Sequence, residues 1–306
     1  MKNRRFTFIA ILLSALLGGG LVFRWQGDAR QAWAQQQDLE KRRASWNGLK
    51  TSIEQEIRRF HGESAVWVED LDTGWTTGYH QGKVFPAASV VKIPILAACY
   101  EAAARGQLRL DEPVTLRGAD KVYGSGVLKA EPGGSVHTVD QLIELMITRS
   151  DNTATNLLIQ KMGFGPLNQA FRRMGLAQTH LSRKMMDFSQ RRKGVENTTS
   201  ARDISLTLKK LYRRELVSRE VSERCLELLT RVTLKDRIPA RLPAGTVVAH
   251  KTGLERGVCH DSGIVFTPSG NYLVCVLTRS RNKTAQPAKE FIARIAYHAH
   301  RYKTQL

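Results

Sequence analysis

Three short clusters of residues carry side chains able to do chemistry. Ser89 and Lys92 stand three positions apart at the head of an apolar run, VVKIPILAACYEAAA. On a helix that spacing puts both on one face, one turn apart. A serine hydroxyl is a weak nucleophile until a neighbouring base takes its proton, and a lysine with a depressed pKa can serve as that base. A helix start also offers free backbone N–H groups and the positive end of the dipole to an oxyanion forming there. The pair alone is weak, since a Ser three before a Lys occurs about once per 300 residues on average composition. Ser150-Asp151-Asn152 is the second cluster and Lys251-Thr252-Gly253, closing VVAHKTG, is the third. Singly they read as a helix N-cap and as a strand ending at glycine. Each tripeptide has odds of about a few in ten thousand per position, so both following the first pair in order is not a chance pattern.

The elements that must position these residues follow a definite order. Thr51–Phe60 has the periodicity of an amphipathic helix, and Ala65–Leu71 with Trp75–Tyr79 form a hairpin about Asp72-Thr73-Gly74. Helices fill the middle. Thr138 with Gln141 makes a capping box, Gly163 ends the helix that follows Asn152, and Ser200 and Ser218 head two more. Strands return at Thr246–His250, Gly263–Phe266 and Tyr272–Thr278, the last two joined through Pro268–Asn271, before a helix from about Pro287 to Tyr302. Strands at both ends with helices between predict an α/β chain of the α+β type. Its antiparallel sheet is flanked by terminal helices, and an all-helical lobe is inserted over about 89–230. A cleft is expected where two such lobes meet.

Composition bounds the rest. The chain has 306 residues, 42% apolar and 25% charged, which excludes a disordered chain, a collagen-like fibre and a disulfide-stapled miniprotein. Its net charge of +19 favours anionic partners, a cell-wall surface or a carboxylate substrate among them. Lys2, Arg4 and Arg5 precede an uncharged run from Phe6 to Phe23, the pattern of a signal peptide or signal anchor. We read residues 1–34 as that segment, favouring an uncleaved anchor in the cytoplasmic membrane, 35–48 as a polar linker and 49–306 as the catalytic domain. Everything after the basic start is then exported to the periplasm or cell surface, which removes nucleic acid as a partner. Cys99, Cys225, Cys259 and Cys275 are expected as buried free thiols. His250, His260, His298 and His300 show no metal-ligand spacing, so neither metal nor organic cofactor is implied.

Taken together, Ser89-x-x-Lys92, Ser150-Asp151-Asn152 and Lys251-Thr252-Gly253 resemble the motif set of class A β-lactamases and penicillin-binding proteins. Separations of 61 and 101 residues between the motif serines and lysine resemble class A, and the likeness covers about Leu49 to Tyr302. The resemblance implies that Ser89 is acylated, with Lys92 tuning or deprotonating it. It implies that Ser150 and Lys251 relay a proton to the leaving nitrogen, and that Asn152 holds Lys92 and the substrate amide. Thr252 with Lys251 would bind the substrate carboxylate. Gly253 would join them in substrate binding, and the N–H groups of Ser89 and Leu254 would form the oxyanion hole. Tyr123 would wall the cleft. Arg237 and Arg279 are further candidates for the carboxylate, against the alternative that they are solvated surface charges. The substrate implied is a β-lactam or a D-Ala-D-Ala-type peptide, acted on by a monomer.

One departure changes the expected chemistry. Class A enzymes carry a loop glutamate two residues after an arginine, and it activates the deacylating water. The corresponding stretch here, Leu181–Ser189, has Arg183 in place but Met185 at the glutamate's position and Ser189 at that of a partner asparagine. A thioether cannot take a proton from water at neutral pH. Asn197 stands at the place of the aspartate that usually pairs with the arginine, so that pair is not expected here. Asp187 is the candidate substitute base if a one-residue shift turns it inward; the alternative is a solvent-facing carboxylate. Three readings follow: a β-lactamase that is slow or uses Asp187, a penicillin-sensitive D,D-peptidase or transpeptidase, and an anchored sensor that acylates without turnover.

Overall fold

A computed structural model describes residues 31, 33–281 and 284–305; the apolar run 6–23, read above as an anchor, lies outside them. Among the described residues no helix is long and apolar enough to cross a membrane. The chain divides into two units at Gly48/Leu49. In the first, residues 33–48 are helical, with an Arg42–Asp38 pair at 2.9 Å along the surface.

The second unit, Leu49–Gln305, is built on a five-stranded antiparallel sheet. Its strands are β1 (Glu63–Asp70), β2 (Thr76–Tyr79), β7 (Val247–Glu255), β8 (Val258–Phe266) and β9 (Tyr272–Arg279), in the order β2-β1-β9-β8-β7. Two-residue strands β3 (Phe85–Pro86) and β6 (Thr198–Thr199) pair separately, as do β4 (Pro113–Thr115) and β5 (Val136–Thr138). The first strand thus sits beside the last, so the chain must leave the sheet after β2 and return at β7. The excursion is helical: α2 (Lys92–Ala104), α3 (Val139–Thr148), α4 (Asn152–Met162), α5 (Phe164–Arg173), α6 (Phe188–Arg192), α7 (Ala201–Tyr212) and α8 (Arg219–Thr230). The terminal helices are α1 (49–59) and α9 (Gln286–Thr304).

Alternation along β9 explains why both faces are covered. Leu273, Cys275 and Leu277 belong to the core shared with the helical excursion, whereas Tyr272, Val274 and Val276 are equally buried on the opposite face. That second face lies under α9, as the Tyr272–His300 ring contact indicates, and α9 is tied to α1 by Phe60 stacked on Phe291 at 4.5 Å and by Arg294 donating to Glu56 at 2.6 Å. Each fully buried aliphatic side chain contributes roughly 1.5–3 kcal/mol, so a strand buried on both faces anchors the layers. The helix signals read from sequence are in place: the Thr138–Gln141 box closes reciprocally, Ser200 and Ser218 accept the N–H groups of Asp203 and Val221, and Gly163 ends α4 at φ +79°. Two expectations are corrected. Lys251-Thr252-Gly253 is not a strand end, because cross-strand pairing with β8 carries β7 on to Glu255. Helix α2 begins only at Lys92, with Ser89 in a preceding 3-10 turn, Ala88–Val91. All four cysteines are buried free thiols.

Candidate active site

The three clusters, far apart in sequence, meet at two lysine ammonium groups. The Ser89 turn runs straight into α2, the Lys92 N–H donating to Ser89 O. Lys92 Nζ, fully buried, donates to Ser150 O and to Asn152 Oδ1, both at 2.8 Å, and lies 3.2 Å from Ser150 Oγ. Lys251 Nζ, also fully buried, donates to Ser150 Oγ and to Thr252 O, each at 3.0 Å. Ser150 Oγ therefore sits between two amines. Burial disfavours both ammonium ions, and they repel each other. Desolvation first, then the neighbouring Lys251 charge, hold Lys92 well below an ordinary lysine. Desolvation pushes Lys251 down to about 7; Asp261 opposes the shift and Arg237 reinforces it. As a free amine, Lys92 has two N–H groups for its two short acceptors and a lone pair left to take a proton.

Close approach and local strain assemble this arrangement. A Cβ on Gly253 would lie 3.3 Å from both the Ser89 nitrogen and Ala88 Cβ, so any side chain there would push the nucleophile turn back by a few tenths of an ångström. Ala88 (φ +42°) and Ser150 (φ +51°) both hold left-handed backbone, a cost of about 1–3 kcal/mol each that clusters at working sites. Asp151 secures the second cluster. Its carboxylate accepts the N–H groups of Val127, Leu128 and Ala154 at 2.6–2.9 Å. Gly126 (φ +116°) permits this, since a Cβ there would fall 2.3 Å from that carboxylate. Asn152 Nδ2 donates to Tyr123 O at 3.3 Å, which brings Tyr123, a residue 87% exposed, to the rim beside Asn152.

The loop after α5 places Met185 next to the same helix. Asn156, one turn beyond Asn152 on α4, grips the Met185 main chain from both sides: Met185 N donates to Oδ1 at 2.7 Å, and Nδ2 donates to Met185 O at 3.1 Å. The Met185 side chain is buried. Asp187 does not supply the missing carboxylate here. It is the N-cap of α6, accepting Gln190 N at 3.1 Å and the Ser189 hydroxyl at 2.7 Å, and these bonds hold it below the usual carboxylate range. Arg183 keeps its ion pair by another route: Glu196 at 2.7 Å and Glu255 at 3.3 Å take the guanidinium. Asn197 bonds the Ser182 and Arg183 main chain instead.

A model of the β-lactamase enzyme family matches residues 48–302, the whole span over which these groups converge. The chain belongs to that family. It is 28% identical to the extended-spectrum β-lactamase PER-1 of Pseudomonas aeruginosa over 78% of this chain and 81% of that one. It is 31% identical to the β-lactamase of Streptomyces albus G over 73% of each. The solved structure of PBP-A superposes with a TM-score of 0.78 at 30% identity, covering 85% of this chain and 97% of that one. A leucine-to-glutamate mutant of PBP-A, captured as an acyl-enzyme complex with penicillin G, matches equally well. This family member is accordingly a serine hydrolase of the β-lactamase type.

Of the two arginine candidates for the carboxylate, Arg237 lies close enough to Lys251 for its charge to lower that lysine's pKa, whereas Arg279 does not reach the site. Arg237 is not a solvated charge: it is 1% exposed, bonded through Nε to Cys259 Sγ at 3.2 Å and through Nη1 to Asp236 at 2.9 Å. Arg279 is exposed but remote. Lys251 pairs with Ser262 and that residue with Cys275, so Arg279 lies two strands across and four residues along, about 10 Å by about 13 Å. Thr252 is buried beside Lys251, and Leu254 is half exposed one residue beyond Gly253. Asn156 and Glu255 went unnoticed in the sequence. Asn156 had a readable signal, standing four residues after Asn152 on the same helix face; Glu255, 72 residues from Arg183, had none.

Proposed function

We propose that this family member opens β-lactam rings by acylation of Ser89 and that release of the acyl group limits its turnover. The observation that carries this is the unbroken chain Lys92–Ser150–Lys251; beside it, Met185, its main chain held by Asn156, stands by resemblance in the place of the water-activating glutamate. Lys92, as free amine, takes the Ser89 proton while Oγ bonds to the lactam carbonyl carbon. The N–H groups of Ser89 and Leu254 receive the oxyanion. The C–N bond then breaks, Ser150 Oγ–H protonates the leaving nitrogen, and Lys92 passes the proton taken from Ser89 on to Ser150 across 3.2 Å, which restores Lys92 as a free amine and leaves Lys251 charged. Thr252 and charged Lys251 hold the substrate carboxylate, Asn152 its amide, and Tyr123 closes the rim. Water must then attack the ester. The acids of the loop are engaged elsewhere, Glu196 on Arg183 and Asp187 on its cap, so Lys92 is the base left within the chain of contacts. Missing a positioned base slows such a step by about 10²–10⁴-fold.

Intact mass after penicillin exposure tests this: one adduct per chain should appear quickly, map to Ser89 and decay over minutes to hours. No adduct and no hydrolysis would refute it. The same missing carboxylate favours a second reading, a D,D-peptidase or transpeptidase, which the likeness to PBP-A supports; release of D-Ala from a D-Ala-D-Ala peptide distinguishes it. Export of residues 49–306 as the catalytic domain, behind an N-terminal signal or anchor, belongs to the same proposal.

A further inference from the structure

Apart from the serine site, the second unit holds an open cavity of about 860 Å³ between the start of β1, the 191–196 segment, the β7–β8 hairpin and the end of β9. Four arginines line it: Arg191, Arg256, Arg279 and Arg281. Arg191 is engaged, with Glu196 at 3.3 Å and Glu255 at 3.0 Å. The other three are exposed and pair with no carboxylate among the described residues. The two acids of the lining do not neutralise them. Glu63 is cross-strand from Arg279, yet its carboxylate is bonded to Lys83 at 2.9 Å; Glu196 is held by Arg183 at 2.7 Å. Arg279 and Arg281 add to the pull that keeps the Glu63 carboxyl below its ordinary range, after the larger effect of Lys83. The backbone at Arg279 and beside Arg256 is fixed: Arg279 closes the β9 ladder opposite Val258, and Ser280 N donates to Gly257 O at 2.9 Å, joining the β9 end to the hairpin that carries Arg256.

We propose that this cavity is a binding site for an anion with at least two linked phosphate groups. Like charges gathered on a fixed backbone repel, and this costs stability unless a counter-ion relieves it. Guanidinium forks match phosphate oxygens in pairs, and a phosphate can be shared by two forks where a carboxylate serves one. Three unpaired arginines exceed what orthophosphate neutralises, and the volume admits a longer anion. The site does not depend on Ser89 chemistry, so its failure and that of the acylation reading are separable.

The test is calorimetric titration of the whole protein with tripolyphosphate and with orthophosphate at 0.15 M NaCl. Saturable one-to-one tripolyphosphate binding is expected, at least tenfold tighter than orthophosphate. Arg256→Gln, Arg279→Gln and Arg281→Gln together should weaken it at least 30-fold while leaving penicillin acylation of Ser89 within twofold. A matched control, Arg172→Gln with Arg213→Gln and Lys50→Gln, removes the same charge from surfaces that do not line the cavity and should change affinity less than threefold. Equal losses in both triple variants, or no saturable binding by the wild type, would overturn the proposal. If binding holds, a phosphodiester polymer and a soluble polyphosphate are distinguished by retention on a poly(glycerol phosphate) matrix.

Discussion

Replacing Met185 by glutamate puts the deacylation argument to its hardest test. The Met185 main chain is clamped by Asn156 through bonds of 2.7 and 3.1 Å, so the substitution changes the side chain without freeing the loop. A carboxylate delivered to that point supplies the absent general base, worth about 10²–10⁴-fold, or about 3–5 kcal/mol of barrier. Two features reduce the gain. The position is 5% exposed, so burial raises the new carboxyl's pKa; a rise of about two units from the ordinary 4.3 still leaves it mostly ionised at pH 8. Ser189, whose hydroxyl is turned onto Asp187, offers no amide to help hold the water. We expect about 100-fold faster deacylation at pH 8 with acylation unchanged. The buried carboxyl should also cost roughly 1–3 kcal/mol of stability. The assay is the decay of the penicillin adduct by intact mass after removal of free drug. Met185→Gln, of similar size and without a base, is the control. If folded Met185→Glu loses its adduct within threefold of the wild-type rate, the loop does not place residue 185 at the ester, and the reasoning fails.

Other expectations follow from the same geometry. Ser89→Ala should abolish the penicillin adduct; persistent labelling at the wild-type rate would move the nucleophile elsewhere. Lys251, with its pKa near 7, must be charged to hold a carboxylate, so kcat/KM for carboxylate-bearing substrates should fall as pH rises through about 7. Lys251→Ala should cost these substrates at least tenfold more than an ester analogue; equal losses would exclude carboxylate binding. Asp187→Asn should alter turnover less than threefold, because an asparagine can still cap α6; a tenfold loss would restore Asp187 as the base. Buried His260, held down to about 4 mainly by desolvation, stays neutral in the fold while the unfolded chain protonates near 6.5. Its contribution is therefore complete above pH 6.5 and lost toward pH 4, about 3 kcal/mol over that window. The stability gap between wild type and His260→Gln in urea should narrow accordingly on acidification, and a constant gap would contradict it.

The reactive groups were legible in the sequence because their signals are local. One helical turn joins Ser89 to Lys92, and caps and turns mark α3, α4, α7 and α8 through residues three or four apart. The position of Met185 was also a matter of spacing from Arg183. What the sequence could not determine depends on contacts between distant segments. Side-chain burial decided that both lysines are desolvated and that Arg237 is internal, since neither follows from a residue's neighbours in the chain. Ladder pairing decided that β7 runs past Gly253 to Glu255, because a strand ends where its partner ends. Arg183 pairs with Glu196 and Glu255 although Asn197 stands where the resemblance expects an aspartate, and Asp187 caps its own helix. Ion pairs tolerate such exchange because Coulomb attraction asks only for proximity, and a folded chain can supply it from many positions.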